Sequence, residues 1–292
     1  MKNNSGNNLK FYLELSKLKI MIPVSLTGFT GYFIFDPHIT FNIFIVTTGI
    51  LLMAISASVL NQIQEAGLDI KMNRTHNRPI PAKNISQSGA IFFFLANLIA
   101  GTLLIYSSGG PRAALTGLLT LVWYNGIYTT AKRYSAFAVV PGALTGALPP
   151  LIGWVAAGGG IWDKPIIFLE FLFFIGQIPH FWLLILKYGE EYKNAGIPSL
   201  TDILSRAQIN RLTFTWVVSS VIAALFLCSF EIIKSKLMVG ILLIASFYLI
   251  WNFSDLLKNQ VNASNSRKYS ILLDSYFLLV LILLISDKII SS

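Results

Sequence analysis

The sequence predicts an all-α polytopic membrane protein of about nine transmembrane helices, and three observations carry that expectation. Of 292 residues, 54% are hydrophobic and only 12% charged, with a mean hydropathy of +0.66. A soluble chain this apolar would expose too much of its surface to water. Apolar runs of spanning length recur at about 20–36, 40–62, 88–108, 113–130, 137–157, 165–187, 212–230, 237–252 and 270–289. The basic residues are distributed unevenly between the connections. With the N-terminus inside, 17 of the 22 Lys and Arg fall on the inner side, leaving Arg112, Lys164, Lys234, Lys236 and Lys288 outside. That asymmetry orients the chain. It also accounts for the net charge of +9 through topology and anionic lipid, with no nucleic-acid partner. No long hydrophilic block interrupts the runs, so the expected organisation is one integral-membrane domain over residues 1–292.

In chain order, residues 1–19 carry Lys2, Lys10, Glu14, Lys17 and Lys19 and no small-residue cleavage site, and are expected to be a retained cytoplasmic tail. The second apolar run ends abruptly in SASVLNQIQEAGLDIKMNRTHNRPIP, residues 56–81. Asn61, Glu65 and Asp69 stand at i, i+4 and i+8, so a continuing helix stacks them on one face. Each step rises about 6 Å, a span that two hard cations could share. Lys71, Arg74, Arg78 and Lys83 follow, with Pro79 and Pro81 closing the segment. The alternative is a solvated loop whose charges roughly cancel. Oxygen ligands and guanidinium groups at a membrane surface suit Mg²⁺ and a diphosphate.

At the end of the fourth run Tyr124, Asn125, Tyr128, Lys132 and Arg133 recur at helical spacings, and one of the two cations is placed to reach a phosphate or only to set topology. The fifth run contains Pro141-Gly142-Ala143 and Gly146-Ala147-Leu148-Pro149-Pro150, small residues that permit close helix approach with a kink. The sixth holds His180 beside Trp182, then Tyr188, Glu191 and Tyr192 before Ala195-Gly196-Ile197-Pro198: helix end, acid, base, proline, as after the second run. An interfacial aromatic belt with snorkelling charges would look similar. An intramembrane His is a functional candidate by default, or an interhelical hydrogen-bonder. The last three runs carry no comparable constellation. Asn252 and Asp255 read as surface groups, and Asp274 lies in an apolar run with no partner legible. Cys228 is the single cysteine, which rules out an intramolecular disulfide.

The spacing Asn61-x-x-x-Glu65-x-x-x-Asp69 resembles the first acidic motif of the UbiA superfamily of intramembrane prenyltransferases. Its continuation through Met72, Arg74, Thr75, Arg78 and Pro79 is similar to the haem O synthase (protoheme IX farnesyltransferase) branch. The likeness covers most of residues 15–200, with specific matches at 61–81, 128–133, 146–154 and 179–198. It departs where Gly67-Leu68 replaces a stretch with a second aspartate, where Glu191-Tyr192 replaces Asp-Tyr, and where Ala136-Phe137 replaces polar residues. The resemblance implies a helical bundle around a central cavity open to the cytoplasmic side, in a bacterial inner membrane. It implies transfer of farnesyl from farnesyl diphosphate to a vinyl group of haem B, giving haem O, with the prenyl tail among membrane lipid. A downstream haem-modifying or oxidase-assembly partner is implied as well. Asn61, Glu65, Asp69 and Glu191 would be catalytic as Mg²⁺ ligands. Arg74, Arg78 and one of Lys132 or Arg133 would bind diphosphate. Tyr128, Phe181 and Trp182 would face a carbocation, Tyr188 and Tyr192 would flank the second acid, and His180 would contact haem or accept a proton. Two other readings stand beside it: a transferase for an aromatic or quinone-precursor acceptor, and, from another class, an ion-coupled transporter. Transporters place ionisable groups near the midplane of interrupted helices, whereas here the acids gather at the inner edge.

Overall fold

The computed structural model describes residues 5–230, 232–258 and 263–291. Its elements are α1 (Ser5–Ser16), α2 (Leu18–Phe35), α3 (Phe41–Asp69), α4 (Gln87–Val122), a π-turn at Trp123–Tyr128, α5 (Thr129–Ala131), α6 (Val139–Ala156), α7 (Lys164–Asn194), α8 (Arg206–Ser229), α9 (Lys236–Phe253), α10 (Asp255–Lys258) and α11 (Ala263–Ser291). Among the described residues eight helical stretches are long and apolar enough to cross a membrane, one of them the 45 residues Gln87–Ala131. Unbroken, that stretch would run about 68 Å, more than twice the hydrocarbon thickness of about 30 Å. It breaks at Gly110, whose φ of 76° and ψ of 179° suit glycine alone, with Pro111 next. A methyl placed on Gly117 would come within 3.6 Å of Ile105 Cδ1, a contact that requires the chain to fold back between them. The stretch is therefore two antiparallel helices, which brings the apolar helices among the described residues to nine, the number expected from the sequence.

Two differences matter for the site. Part of the N-terminal tail is helical: α1 lays Phe11, Tyr12 and the fully buried Leu15 against Ile55 and Val59 of α3. And α3 runs on to Asp69, seven residues past the expected end of its apolar run, so the acidic ladder is helical throughout.

The apolar core has two main parts. One joins α2, α3, α4 and α6, and the other joins α7, α8, α9 and α11. Helix α6 connects them by lying against α2, where Gly28 and Gly31 face Pro149, Pro150 and Gly153 with backbone against backbone. This is the close approach that the small residues of the fifth run anticipate. The ends of α3, α5 and α7 meet at one end of the bundle, joined by direct side-chain contacts described below. From the charge asymmetry that end is expected to be the cytoplasmic one. Tags inserted at 63–87, 131–136 or 188–211 are accordingly expected to be protected from impermeant label in intact cells, and tags at 108–112 or 158–164 to be modified. Labelling of the first group from outside would reverse the orientation.

Candidate active site

Asn61, Glu65 and Asp69 are all buried on one face of α3, and they line a cavity of about 220 Å³. The rest of the wall includes Arg74 and Arg78, Tyr128 and Lys132, Val139 of α6, and Phe181, Leu184 and Tyr192. Each rung of the ladder has a basic or hydroxyl partner. The Asn61 amide nitrogen donates to Thr129 Oγ1 at 3.1 Å, which leaves the amide oxygen as the atom offered to a cation. Glu65 is ion-paired with Lys132. Both oxygens of Asp69 accept from Arg78 Nη1, at 2.8 and 2.7 Å.

The sequence reads 124–133 as evenly helical, but the structure makes Trp123–Tyr128 a π-turn. The wider turn lets the Asn125 amide donate to the carbonyl of Ala57 (3.0 Å) and to Gln64 Oε1 (3.2 Å), pinning this segment to α3. Thr129 and Lys132 then face Asn61 and Glu65. π-turns inside α-helices occur frequently at functional sites. Arg133 turns the other way and donates to the Gln64 carbonyl at 2.6 Å. Of the two adjacent cations, Lys132 belongs to the cavity and Arg133 to the scaffold.

The second acidic segment docks onto the first through a small apolar cluster: Met72, Ala195 and Ile197, with Leu68 and Tyr192 packed on it. Glu191 Oε2 accepts from the Arg74 backbone N–H at 3.1 Å. The Arg74 guanidinium lies 4.7 Å over the Tyr188 ring and donates to the Tyr192 hydroxyl at 3.4 Å. Two motifs more than a hundred residues apart thus form one rim. Tyr128 faces Phe181 at 6.0 Å between ring centres, both on the cavity wall.

Two aromatic and ionisable candidates lie elsewhere. Trp182 is buried and packs edge-on against Trp216, with ring centres 6.1 Å apart, and it does not reach the cavity. One residue along a helix turns a side chain by about 100°, so when Phe181 faces the cavity Trp182 faces α8. The expectation that both rings line the pocket fails for Trp182. His180 sits deeper, and its Nδ1 meets Asp274 Oδ1 of α11 at 3.1 Å, which supplies the partner that the sequence does not reveal.

Lys17 lies outside the cavity lining but within electrostatic reach of Arg78, Asp69, Glu65 and Lys132, a neighbourhood that sequence reasoning misses, since nothing separates it there from the other basic residues of the tail. It breaks the chain between α1 and α2 in a left-handed conformation (φ 46°, ψ 44°), unusual for a residue other than glycine. Burial, and after it the Arg78 guanidinium, lower its pKa to about 7; Asp69 and Glu65 act in the opposite sense. Its charge is therefore present below pH 7 and fades above it. Lys17→Met is expected to weaken binding of a prenyl diphosphate about tenfold at pH 6, the scale of one charge-assisted hydrogen bond. The gap from wild type should narrow towards pH 8. Equal affinities at pH 6, by calorimetry, would place Lys17 outside the anion site.

The donor set fits Mg²⁺ chemically: an amide oxygen and two carboxylates on one face, all hard oxygens. In this state the carboxylates are neutralised by basic side chains. Among the described residues no three acids or histidines gather around one point.

Fold and site together define a polytopic helical membrane protein with a cavity lined by acidic and basic side chains at one end of the bundle. The chain belongs to the UbiA prenyltransferase family, whose model it matches over residues 24–281, and it is a prenyltransferase. The match continues well past residue 200, into spans where the sequence offers only apolar character. The chain is 33% identical to the protoheme IX farnesyltransferase of Oleidesulfovibrio alaskensis over 84% of each chain. With that of Geobacter sulfurreducens it shares 36% over 67% of this chain and 72% of the other. Among solved structures it is similar to a digeranylgeranylglyceryl phosphate synthase (TM-score 0.77, 21% identity, 97% of this chain and 99% of the other). It is also similar to a UbiA homologue from Archaeoglobus fulgidus bound to GPP and Mg²⁺ (TM-score 0.70, 14% identity, 96% and 98%).

Proposed function

We propose that this protein transfers the farnesyl group of farnesyl diphosphate to a vinyl group of protoheme IX, giving haem O. The observation that carries the chemistry is the convergence of Glu65 and Asp69 with Lys132, Arg78 and Arg74 around one cavity, with Glu191 outside its lining and bonded to the Arg74 backbone. The acceptor is supported by relatives named protoheme IX farnesyltransferase that match most of the chain.

Ionising an allylic diphosphate is the difficult step, because charge separates within a membrane. Bound Mg²⁺ would neutralise the leaving diphosphate, held by Asn61, Glu65 and Asp69, with Glu191 at the rim. Lys132 and Arg78 would release their carboxylates to it and bind the departing oxygens. Arg74 is already held at the rim by Tyr188 and Tyr192, so it loses little freedom on contacting the anion. The farnesyl C1–O bond breaks, with its electron pair leaving on diphosphate. The faces of Tyr128 and Phe181 stabilise the allylic cation. The vinyl π pair then forms the new bond to C1, and water adds to the resulting benzylic-type cation with loss of a proton. A cavity of about 220 Å³ holds the head group rather than the chain, since pockets enclosing drug-sized ligands run about 300–1,000 Å³. The isoprenoid tail therefore extends between helices into lipid.

The test is mass spectrometry of haems extracted from cells with and without the protein, followed by turnover in detergent with haem B and farnesyl diphosphate. Haem O is expected only where the protein is present. A prenylated aromatic acid or quinone precursor with no haem O would favour the other acceptor class. Arg78→Ala is expected to weaken farnesyl diphosphate binding at least tenfold while leaving haem binding unchanged.

A further inference from the structure

One polar side chain in the middle of α7 takes no part in the scheme above. Gln177 lies within the apolar crossing of that helix. It is partly exposed, and among the described residues its amide has no hydrogen-bond partner. Inside a membrane an unpaired amide is costly, so its partner is expected to be a water or a ligand. A glutamine that only fastened α7 to α6 would bond across to that helix. Here it lies over Gly146, which has no side chain to offer: a methyl added there would stand 2.7 Å from Gln177 Cδ and 2.9 Å from its Nε2.

Two helices fix its place relative to the reaction. On α6, Val139 lines the cavity, the Tyr128 ring lies against Gly142, and Gln177 lies against Gly146. On α7, Leu184 and Phe181 line the cavity, and Gln177 follows one turn further on the same stripe. Both helices therefore put the amide one turn, about 6 Å, below the facing rings of Tyr128 and Phe181 and away from the acidic ladder. It stands outside the cavity lining, with those rings between it and the head-group end.

The order of the reaction gives such an amide a task. One cation forms at farnesyl C1. A second forms, once the vinyl pair has bonded to C1, at the vinyl carbon two bonds beyond it. Water reaching C1 first would yield farnesol and no coupling, so water has to be kept from C1 and yet stand ready beyond the rings. The second cation has two fates. Water can add through an oxygen lone pair and lose one proton to the departed diphosphate, which gives haem O. Or the newly bonded carbon can lose a proton, its C–H pair becoming a double bond, which gives an alkene lighter by one water.

We propose that Gln177 holds the water that adds to the second cation, its carboxamide oxygen accepting from one O–H so that the water's lone pair faces the vinyl carbon. The proposal rests on the reading of the acceptor as haem B.

The test is mass spectrometry of the haem products made by the full-length protein in lipid nanodiscs with haem B, farnesyl diphosphate and Mg²⁺. Wild type is expected to give haem O. Gln177→Met, similar in length but without the amide, should still couple farnesyl to haem B yet raise the ratio of alkene to haem O about tenfold, the scale of one lost hydrogen bond. Gln177→Glu keeps an acceptor oxygen at the same reach and should restore the wild-type ratio. Gly146→Ala, whose methyl displaces the end of Gln177, should shift the ratio in the same direction by a smaller factor. If Gln177→Met does not fold, the ratio in Gly146→Ala decides. A helix-packing role would lower both products together with no change in their ratio, and that result overturns the proposal. So would haem O free of alkene from both Gln177→Met and Gly146→Ala. In either case wild-type haem O would leave the acceptor reading in place. If wild type made no prenylated haem, both would fall together.

Discussion

Asp69→Asn is expected to reduce prenyl transfer by a factor of about 10² to 10³ or more, with little change in the amount of folded protein. The side chain is fully buried and gives both oxygens to Arg78. Asparagine keeps the shape and removes the charge, so a hard anionic ligand disappears where the leaving diphosphate must be neutralised. Loss of one such electrostatic contact to a developing charge costs about 10² to 10³ in rate. The structural penalty is smaller than for a sealed ion pair, because the Arg78 side chain is 21% exposed and water can solvate it. Glu65→Gln should behave in the same way, with Lys132 as the stranded cation. Both freed cations can still attract phosphate, so diphosphate binding should survive in the variants while turnover does not. That split between binding and rate separates a catalytic carboxylate from a merely folded one. Wild-type turnover should vanish in chelator and return with Mg²⁺. Turnover within tenfold of wild type in either variant, or chelator-resistant turnover at full rate, would exclude this ladder as the metal site.

The ladder illustrates what the sequence makes legible. Helical spacing places Asn61, Glu65 and Asp69 on one face before any coordinate is known, because the period of an α-helix is fixed. Lengths of apolar runs likewise yield nine apolar helices among the described residues, including the turn near residue 110. What the sequence withholds is which side chains meet across helices. Lys132 and Arg133 are adjacent and chemically alike, and only the π-turn decides that one faces Glu65 and the other a carbonyl of α3. Lys17 enters through a left-handed break between α1 and α2 that no residue type announces. Trp182 is lost to the core by one residue of helical phase, and Asp274 finds His180 only because α7 and α11 pack together.

The largest effect on folding is expected where no chemistry occurs, at Gly153. A methyl there would overlap the carbonyl oxygen of Gly28 and lie 2.8 Å from the Tyr32 nitrogen; at Gly31 it would overlap the Pro150 carbonyl. All the obstructing atoms are backbone, so no side chain can rotate aside, and α2 must move away from α6. Between membrane helices van der Waals contact at close approach is a principal source of association, so the separation forfeits contacts along the whole seam. Overpacking a tight interior costs about 1–3 kcal/mol where side chains can adjust, and here they cannot. Gly153→Ala and Gly31→Ala should each lose about 3 kcal/mol or more, lowering the melting temperature in detergent by roughly 5–10 °C. Two controls bracket this. At Gly146 the added methyl meets only the movable end of Gln177, and at Gly67 it meets nothing within 4 Å. Gly146→Ala should therefore cost far less. Gly67→Ala, inside α3, should be neutral or stabilising by up to about 1 kcal/mol through helix propensity. Activity should follow folding in the α6 variants, because α6 carries Val139 into the cavity wall. A Gly153→Ala protein melting with wild type would mean that the two helices are not seated as closely as this.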